Sequence, residues 1–144
     1  MFYGCTVLTG VTIPDGVNSI GYSTFCGCTG LTSIAIPERV TAIGDEAFKN
    51  CTGITDVVVS DSVTEIGYRA FEGCSSLTSI TLPFVGATKD GSKNTHFGYI
   101  FGAFHYGGNP TCVPSGLQTL IITGGTSIAD CAFYYCTGLT SIEM

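Results

Sequence analysis

The sequence predicts a β-rich α/β solenoid of about five 23-residue repeats, with short parallel strands on its concave face and short helical turns opposite. Four recurrences predict it. Phe25, Phe48 and Phe71 stand 23 residues apart; Cys5, Cys28, Cys51 and Cys74 keep the same step; so do Leu8, Leu31, Ile54 and Leu77, with Ile20, Ile43 and Ile66 in register beside them. A fixed period of this length marks a repeat array, because one unit cannot bury its own apolar face and must stack on its neighbours. A last unit returns as Leu117, Leu120, Ile122, Ile128, Ala132, Phe133 and Cys136, one residue short near Gly124 and Gly125.

Each element of the unit follows from local pattern. In Ile34-Ala35-Ile36 the apolar residues alternate, so Ile34 and Ile36 face one side of a strand and Ala35 the other. The same alternation predicts strands at Val11–Ile13, Val57–Val59, Ile80–Leu82, Leu120–Ile122 and Ile142–Met144, each paired in parallel with its equivalent one repeat away. Pro14, Pro37 and Pro83 close three of them, where a missing N–H does least harm. Ile43-Gly44 and Ile66-Gly67 mark turns in which glycine admits a positive φ. The stretch Asp45–Cys51 fits one or two helical turns, with Asp45 as N-cap. Ala47 and Cys51 then share a face with Phe48 beside them, and Glu46 and Lys49 point to water. The predicted repeat core is Phe25, Phe48, Phe71 and Phe133 with Cys28, Cys51, Cys74 and Cys136. Ser33, Ala35, Asp56, Val58, Ser79, Thr81, Thr119 and Ile121 occupy the outward strand positions of the concave face, a small and nearly uncharged surface.

The unit resembles the BspA-like leucine-rich repeats, also called the Treponema-type class, whose pattern is roughly Leu-x-x-Ile-x-Ile-Pro-x-x-Val-x-x-Ile-Gly-x-x-Ala-Phe-x-x-Cys. Leu31 through Cys51 matches it most fully and Ile54 through Cys74 nearly as fully, and only about 84–116 falls outside it. Ser60 and Thr123 depart from it at the strand-closing proline. The resemblance implies a curved leucine-rich-repeat solenoid from a surface or secreted protein of bacteria or protozoan parasites, hence an extracellular or cell-surface location. It also implies partners among host or neighbouring-cell surface proteins or extracellular matrix. Residues 1–144 are expected to form one such solenoid. The chain opens in mid-repeat at Phe2 and Cys5 and stops on a strand at Ile142–Met144, without polar capping units. A fragment of a longer array, or end-to-end self-association, is the expectation.

Composition narrows the function classes. The 144 residues are 44% hydrophobic and 11% charged, with net charge −6 and five basic residues that are scattered: Arg39, Lys49, Arg69, Lys89 and Lys93. A nucleic-acid face needs clustered Lys and Arg, and none is present. No apolar run reaches the ~20 residues of a membrane span, and the opening residues lack the basic and apolar regions of a signal peptide.

Five of the eight cysteines occupy the repeat's own Cys position. Neighbouring rungs bring such residues within disulfide range, but their Cβ vectors run parallel, so buried free thiols are expected. Cys26, Cys112 and Cys131 are out of register: Cys26 at an outward position, Cys112 in the interruption, where a bridge would tie that loop down. No pair has the CxxC spacing of a zinc site, and neither a metal nor another cofactor is expected.

From Leu77 to Leu117 the spacing is 40 instead of 23, so an insertion occupies about 84–116. It concentrates His96, Phe97, Tyr99, Phe101, Phe104, His105 and Tyr106 within eleven residues. Phe97, Ile100, Phe101 and Phe104 fit a short helix capped by Thr95, against the weakening effect of Gly98 and Gly102. Insertions in repeat arrays map to one face, often the binding face, so these seven residues are the candidate ligand contacts. The alternative is a loop that packs its own aromatics onto the solenoid. Neither histidine has a nucleophile placed by a known motif, so no catalytic residue is assigned. Asn50-Cys51-Thr52 matches a glycosylation sequon, but Cys51 belongs to the core, and a chance match is expected. The function expected is a non-catalytic adhesion or protein-binding module, with a structural spacer or a carbohydrate-binding accessory module as alternatives.

Overall fold

The computed structural model describes residues 2–125 and 127–144 and forms a solenoid of about five turns. Its main sheet has five parallel strands, β2 (Ser33–Ile36), β4 (Asp56–Val59), β6 (Ser79–Leu82), β7 (Thr119–Ile122) and β8 (Ser141–Glu143), in that order. Pairing follows the repeat: Ser33 lies opposite Asp56, and Ile34 opposite Val57. Across the insertion β6 pairs directly with β7, Ile80 opposite Leu120, so the extra residues leave the sheet unbroken. Burial alternates along β2 and β4 as the period of two requires: Ile34, Ile36, Val57 and Val59 face the core, and Ala35 and Val58 face solvent.

Val11–Ile13 is not a strand. Val11 and Ile13 pack half-buried on the core, but their segment has a neighbour on one side only and is tied to the next rung by the Thr32 N–H to the Thr9 carbonyl at 3.3 Å. A second, three-stranded sheet was not anticipated: β1 (Ser19–Ile20), β3 (Ala42–Ile43) and β5 (Glu65–Ile66), also parallel. The turns expected at Ile43-Gly44 and Ile66-Gly67 are thus strand ends, and neither glycine has a positive φ. Their smallness has a different cause. A Cβ on Gly44 would lie 2.9 Å from the backbone of Gly21 and Tyr22, and one on Gly67 would meet the Asp45 backbone.

The segments opposite the strands are successions of turns, not helical turns. Glu46 and Asn50 sit at φ +56° and +58°, which no right-handed helix accepts. Backbone donors alternate instead. Glu46, Phe48 and Asn50 donate to Tyr68, Ala70 and Glu72 of the next rung at 2.9, 2.8 and 2.7 Å. Ala47, Lys49 and Cys51 close turns onto Gly44, Glu46 and Phe48 at 3.3, 3.1 and 3.2 Å. Asp45 caps no helix of its own; its carboxylate accepts the Tyr68 N–H at 2.7 Å.

Two ladders run through the core. The rings of Phe2, Phe25, Phe48 and Phe71 stack with centroids 5.3–5.4 Å apart and planes within 7°. At that spacing parallel rings are offset, the arrangement their quadrupoles favour. Beside them the thiols of Cys28, Cys51 and Cys74 donate to the carbonyls of Phe2, Phe25 and Phe48 at 3.0, 3.0 and 3.2 Å. All eight cysteines are free. Cys26 is buried, not outward, near the charges of Glu46 and Lys49 on the adjoining rung. Phe133 and Cys136 on the last rung are half-buried, and Ile128 is exposed. No helix among the described residues is long and apolar enough to cross a membrane.

Burial holds the core thiols protonated, pushing Cys51 from 9.0 up to about 12. A group whose pKa the fold raises stabilises it below the unfolded pKa and loses that contribution as pH climbs through the folded value. The protein is therefore expected to lose stability as pH rises from about 9 toward 12, and Cys51→Ala to flatten that dependence. Urea melts across this range check it; parallel slopes for both proteins would contradict the assignment.

Candidate functional site

The insertion is built into the stack and then emerges from it. A 3-10 segment, Phe97–Phe101, takes the place of a rung's turns. On one side the Phe71 N–H donates to the Ile100 carbonyl at 2.9 Å, and on the other the Phe97 N–H donates to Ala132 at 2.9 Å. The helical expectation therefore holds in its tighter form. Its N-cap is His96 instead of Thr95 and makes no side-chain cap bond; Gly102, at φ +102°, ends it.

Asn109 opens the single turn of α-helix α1 (Asn109–Cys112). It is fully buried and clamps the segment: its Oδ1 accepts the Gly98 N–H at 2.9 Å, and its Nδ2 donates to the Ala132 carbonyl at 3.0 Å. The His96 ring is buried with Nε2 2.9 Å from the Ala103 carbonyl, which fixes the turn that carries the chain outward.

The seven predicted contact residues divide accordingly. Phe97 and Phe101 are core, with rings 5.3 Å apart and Phe97 5.5 Å from Phe133, and His96 is committed to its hydrogen bond. Tyr99 is half-buried, its ring 5.4 Å from that of Tyr68. Phe104, His105 and Tyr106 are exposed, Phe104 by 78% and Tyr106 by 48%.

The exposed three do not stand alone. Tyr106 meets Tyr134 edge-on at 5.5 Å, Tyr134 meets Tyr135 at 4.5 Å, and the His105 ring packs against Tyr106 at 6.2 Å. Phe104 leans on Tyr68, whose hydroxyl donates to the Gly102 carbonyl at 2.7 Å. Tyr134 and Tyr135, 42% and 63% exposed, were not picked out from sequence. Their signal was available: preceding rungs carry Lys49-Asn50 and Glu72-Gly73 at these outward positions, and the last carries two tyrosines. Tyr135 also holds φ +48°, a left-handed conformation that costs a bulky residue of order 1 kcal/mol and sends its ring into solvent.

His105, Tyr106, Tyr134 and Tyr135 thus form one aromatic face containing no Lys, Arg, Asp or Glu, while Phe104 is exposed against Tyr68. The adjoining rungs are ionic, with Lys49 3.0 Å from Glu46 and 3.1 Å from Glu72. Aromatic rings supply large contact area at small entropic loss, which suits the face to recognition. Among the described residues no group of three or more His, Cys, Asp and Glu could hold a metal ion.

Residues 1–91 and 114–144 match the model of the BspA type leucine rich repeat region, in six copies. No curated protein matches the chain. Among solved structures, it is similar to a leucine-rich repeat protein of Bacteroides ovatus, with 41% identity over 57% of this chain and 21% of that one and a TM-score of 0.55. It is similar too to a leucine rich cell surface protein of Faecalibacterium prausnitzii, with 31% identity over 94% of this chain and 31% of that one and a TM-score of 0.65. A T. pallidum leucine rich repeat protein aligns at 28% identity over 84% of this chain and 62% of that one, with a TM-score of 0.61. The chain therefore spans a fifth to a third of the length of the first two.

Proposed function

The chain belongs to the BspA-type leucine-rich repeat proteins, and from that premise we propose that it is a non-catalytic binding module, displayed outside the cell, that engages a protein partner through the aromatic face of its insertion. The observation that carries this is the continuity of four exposed aromatic side chains contributed by two separate segments, His105–Tyr106 and Tyr134–Tyr135. An insertion that served packing alone would bury its rings, as Phe97 and Phe101 are buried. The partner class is a protein of a host or neighbouring cell surface, or of extracellular matrix. The Faecalibacterium relative is described as a cell surface protein, which supports the location.

Immobilised extracellular-matrix and cell-surface proteins are the test, with binding followed by surface plasmon resonance. Tyr106→Ala and Tyr135→Ala are each expected to weaken the interaction about tenfold, or ~1.4 kcal/mol, with the melting curve unchanged. A chain that bound none of the proteins, or variants that bound as tightly as the parent, would overturn the proposal and leave the repeats as a structural spacer.

A further inference from the structure

The insertion creates a second concavity on the flank of the solenoid, lined by none of His105, Tyr106, Tyr134 and Tyr135. Residues 87–89 lie along the free edge of β5: the Ile66 N–H donates to the Ala87 carbonyl at 2.9 Å, the Lys89 N–H to Thr64 at 2.9 Å, and Glu65 bridges Thr88 antiparallel. The chain then folds back through a tight loop. The Asp90 carboxylate accepts both the backbone N–H and the hydroxyl of Ser92, at 3.0 and 2.7 Å, and the Ala87 N–H closes onto Asn94 at 3.2 Å. This loop walls an open-sided groove of about 430 Å³ over the ends of β3 and β5, within the size range of small-ligand sites.

The groove's chemistry is mixed. Asp45 and Glu65 bring carboxylate acceptors, Lys93 an ammonium donor, and Asn94 and Tyr99 groups that both donate and accept. Among the described residues, Asp45, Glu65 and Lys93 form no ion pair. Asp45 uses one oxygen for the Tyr68 N–H, leaving the other available. Gly44 and Gly67, which admit no side chain against the neighbouring rung, line the groove with bare backbone. Burial first, and the Asp45 charge second, keep the Tyr99 phenol protonated above its ordinary range.

A polyanion would meet two carboxylates here, and a simple cation would meet Lys93. A neutral ring with a flat C–H face and a rim of hydroxyls, each both donor and acceptor, satisfies all five groups at once. We propose that the groove between β3, β5 and the insertion's 87–94 loop is a saccharide-binding site, with Asp45, Glu65, Lys93, Asn94 and Tyr99 as its hydroxyl partners and the Gly44 and Gly67 backbone as its floor. It is a separate site from the aromatic face and does not depend on a protein partner there.

The test is a 15N-edited NMR titration of the full chain with glucose, galactose, mannose and N-acetylglucosamine. At least one sugar should shift the amides of Gly44, Gly67, Lys93 and Asn94 with a dissociation constant in the millimolar range. Asn94→Ala and Tyr99→Phe should each weaken that binding about fivefold. The proposal fails if no sugar moves these amides, if the shifts fall on the Tyr106–Tyr135 face instead, or if both variants bind as the parent does. Because the parent's own titration reports the site, a misfolded variant leaves the test standing.

Discussion

Phe48→Ala is expected to destabilise the protein by about 3–5 kcal/mol and to lower its melting temperature by about 10 °C. Phe48 is fully buried, and its ring stacks on both sides, 5.3 Å from Phe25 and 5.4 Å from Phe71. Truncation removes both contacts and leaves a cavity that the structure is poorly able to close. Neighbouring rungs are held at their spacing by the Phe48 and Phe25 N–H groups, which donate to Ala70 and Ala47 at 2.8 Å. Phe2, at one end of the same ladder and 48% exposed, has one ring neighbour. Phe2→Ala should therefore cost only about 1 kcal/mol. Paired denaturant melts measure the difference, and equal losses at the two positions would refute the ladder as the source of stability.

Asn109→Ala is expected to cost about 2–4 kcal/mol and to release the insertion from the stack. The amide is fully buried and has two partners that water cannot reach in its place. Removing it orphans the Gly98 N–H, whereas the Ala132 carbonyl keeps the Phe97 N–H as a second donor. The penalty is thus one unsatisfied donor, two lost bonds and a small void. Asn109→Asp preserves the acceptor for Gly98 but sets an oxygen against the Ala132 carbonyl, so it should rescue nothing. Hydrogen exchange at Gly98 and Phe97 reports the release directly. Parent-like protection in Asn109→Ala would show that the aromatic core of Phe97 and Phe101 holds the insertion unaided.

The solenoid was legible because its interactions connect a residue to its own equivalent. Phe25, Phe48 and Phe71 recur in sequence for the reason that they touch in space. What lay outside that logic was read less well. Ala47 and Cys51 have the i, i+4 spacing of an amphipathic helix and do both face inward, but left-handed residues at Glu46 and Asn50 turn the chain between them, so no helix forms. The short sheet β1-β3-β5 was missed because two-residue strands have no measurable alternation. In the insertion the cluster of aromatics was visible, but which rings point outward was not. Phe101 and Phe104 are alike in composition, and the Gly102 turn puts one in the core and the other in solvent. Tyr134 and Tyr135 are masked by the repeat itself, whose shared positions report what the last unit has in common with its neighbours and not where it departs from them.

The alternating donors of the turn segments have a mechanical consequence. Every second N–H there points along the stack, so a force pulling the two ends of the solenoid apart loads these bonds one rung at a time, as teeth in a zipper, and never all together. Each rung that yields frees a 23-residue length of chain, roughly 80 Å when extended. A stack built this way lengthens in steps under tension, giving way gradually where a sheet sheared along its strands would hold and then break.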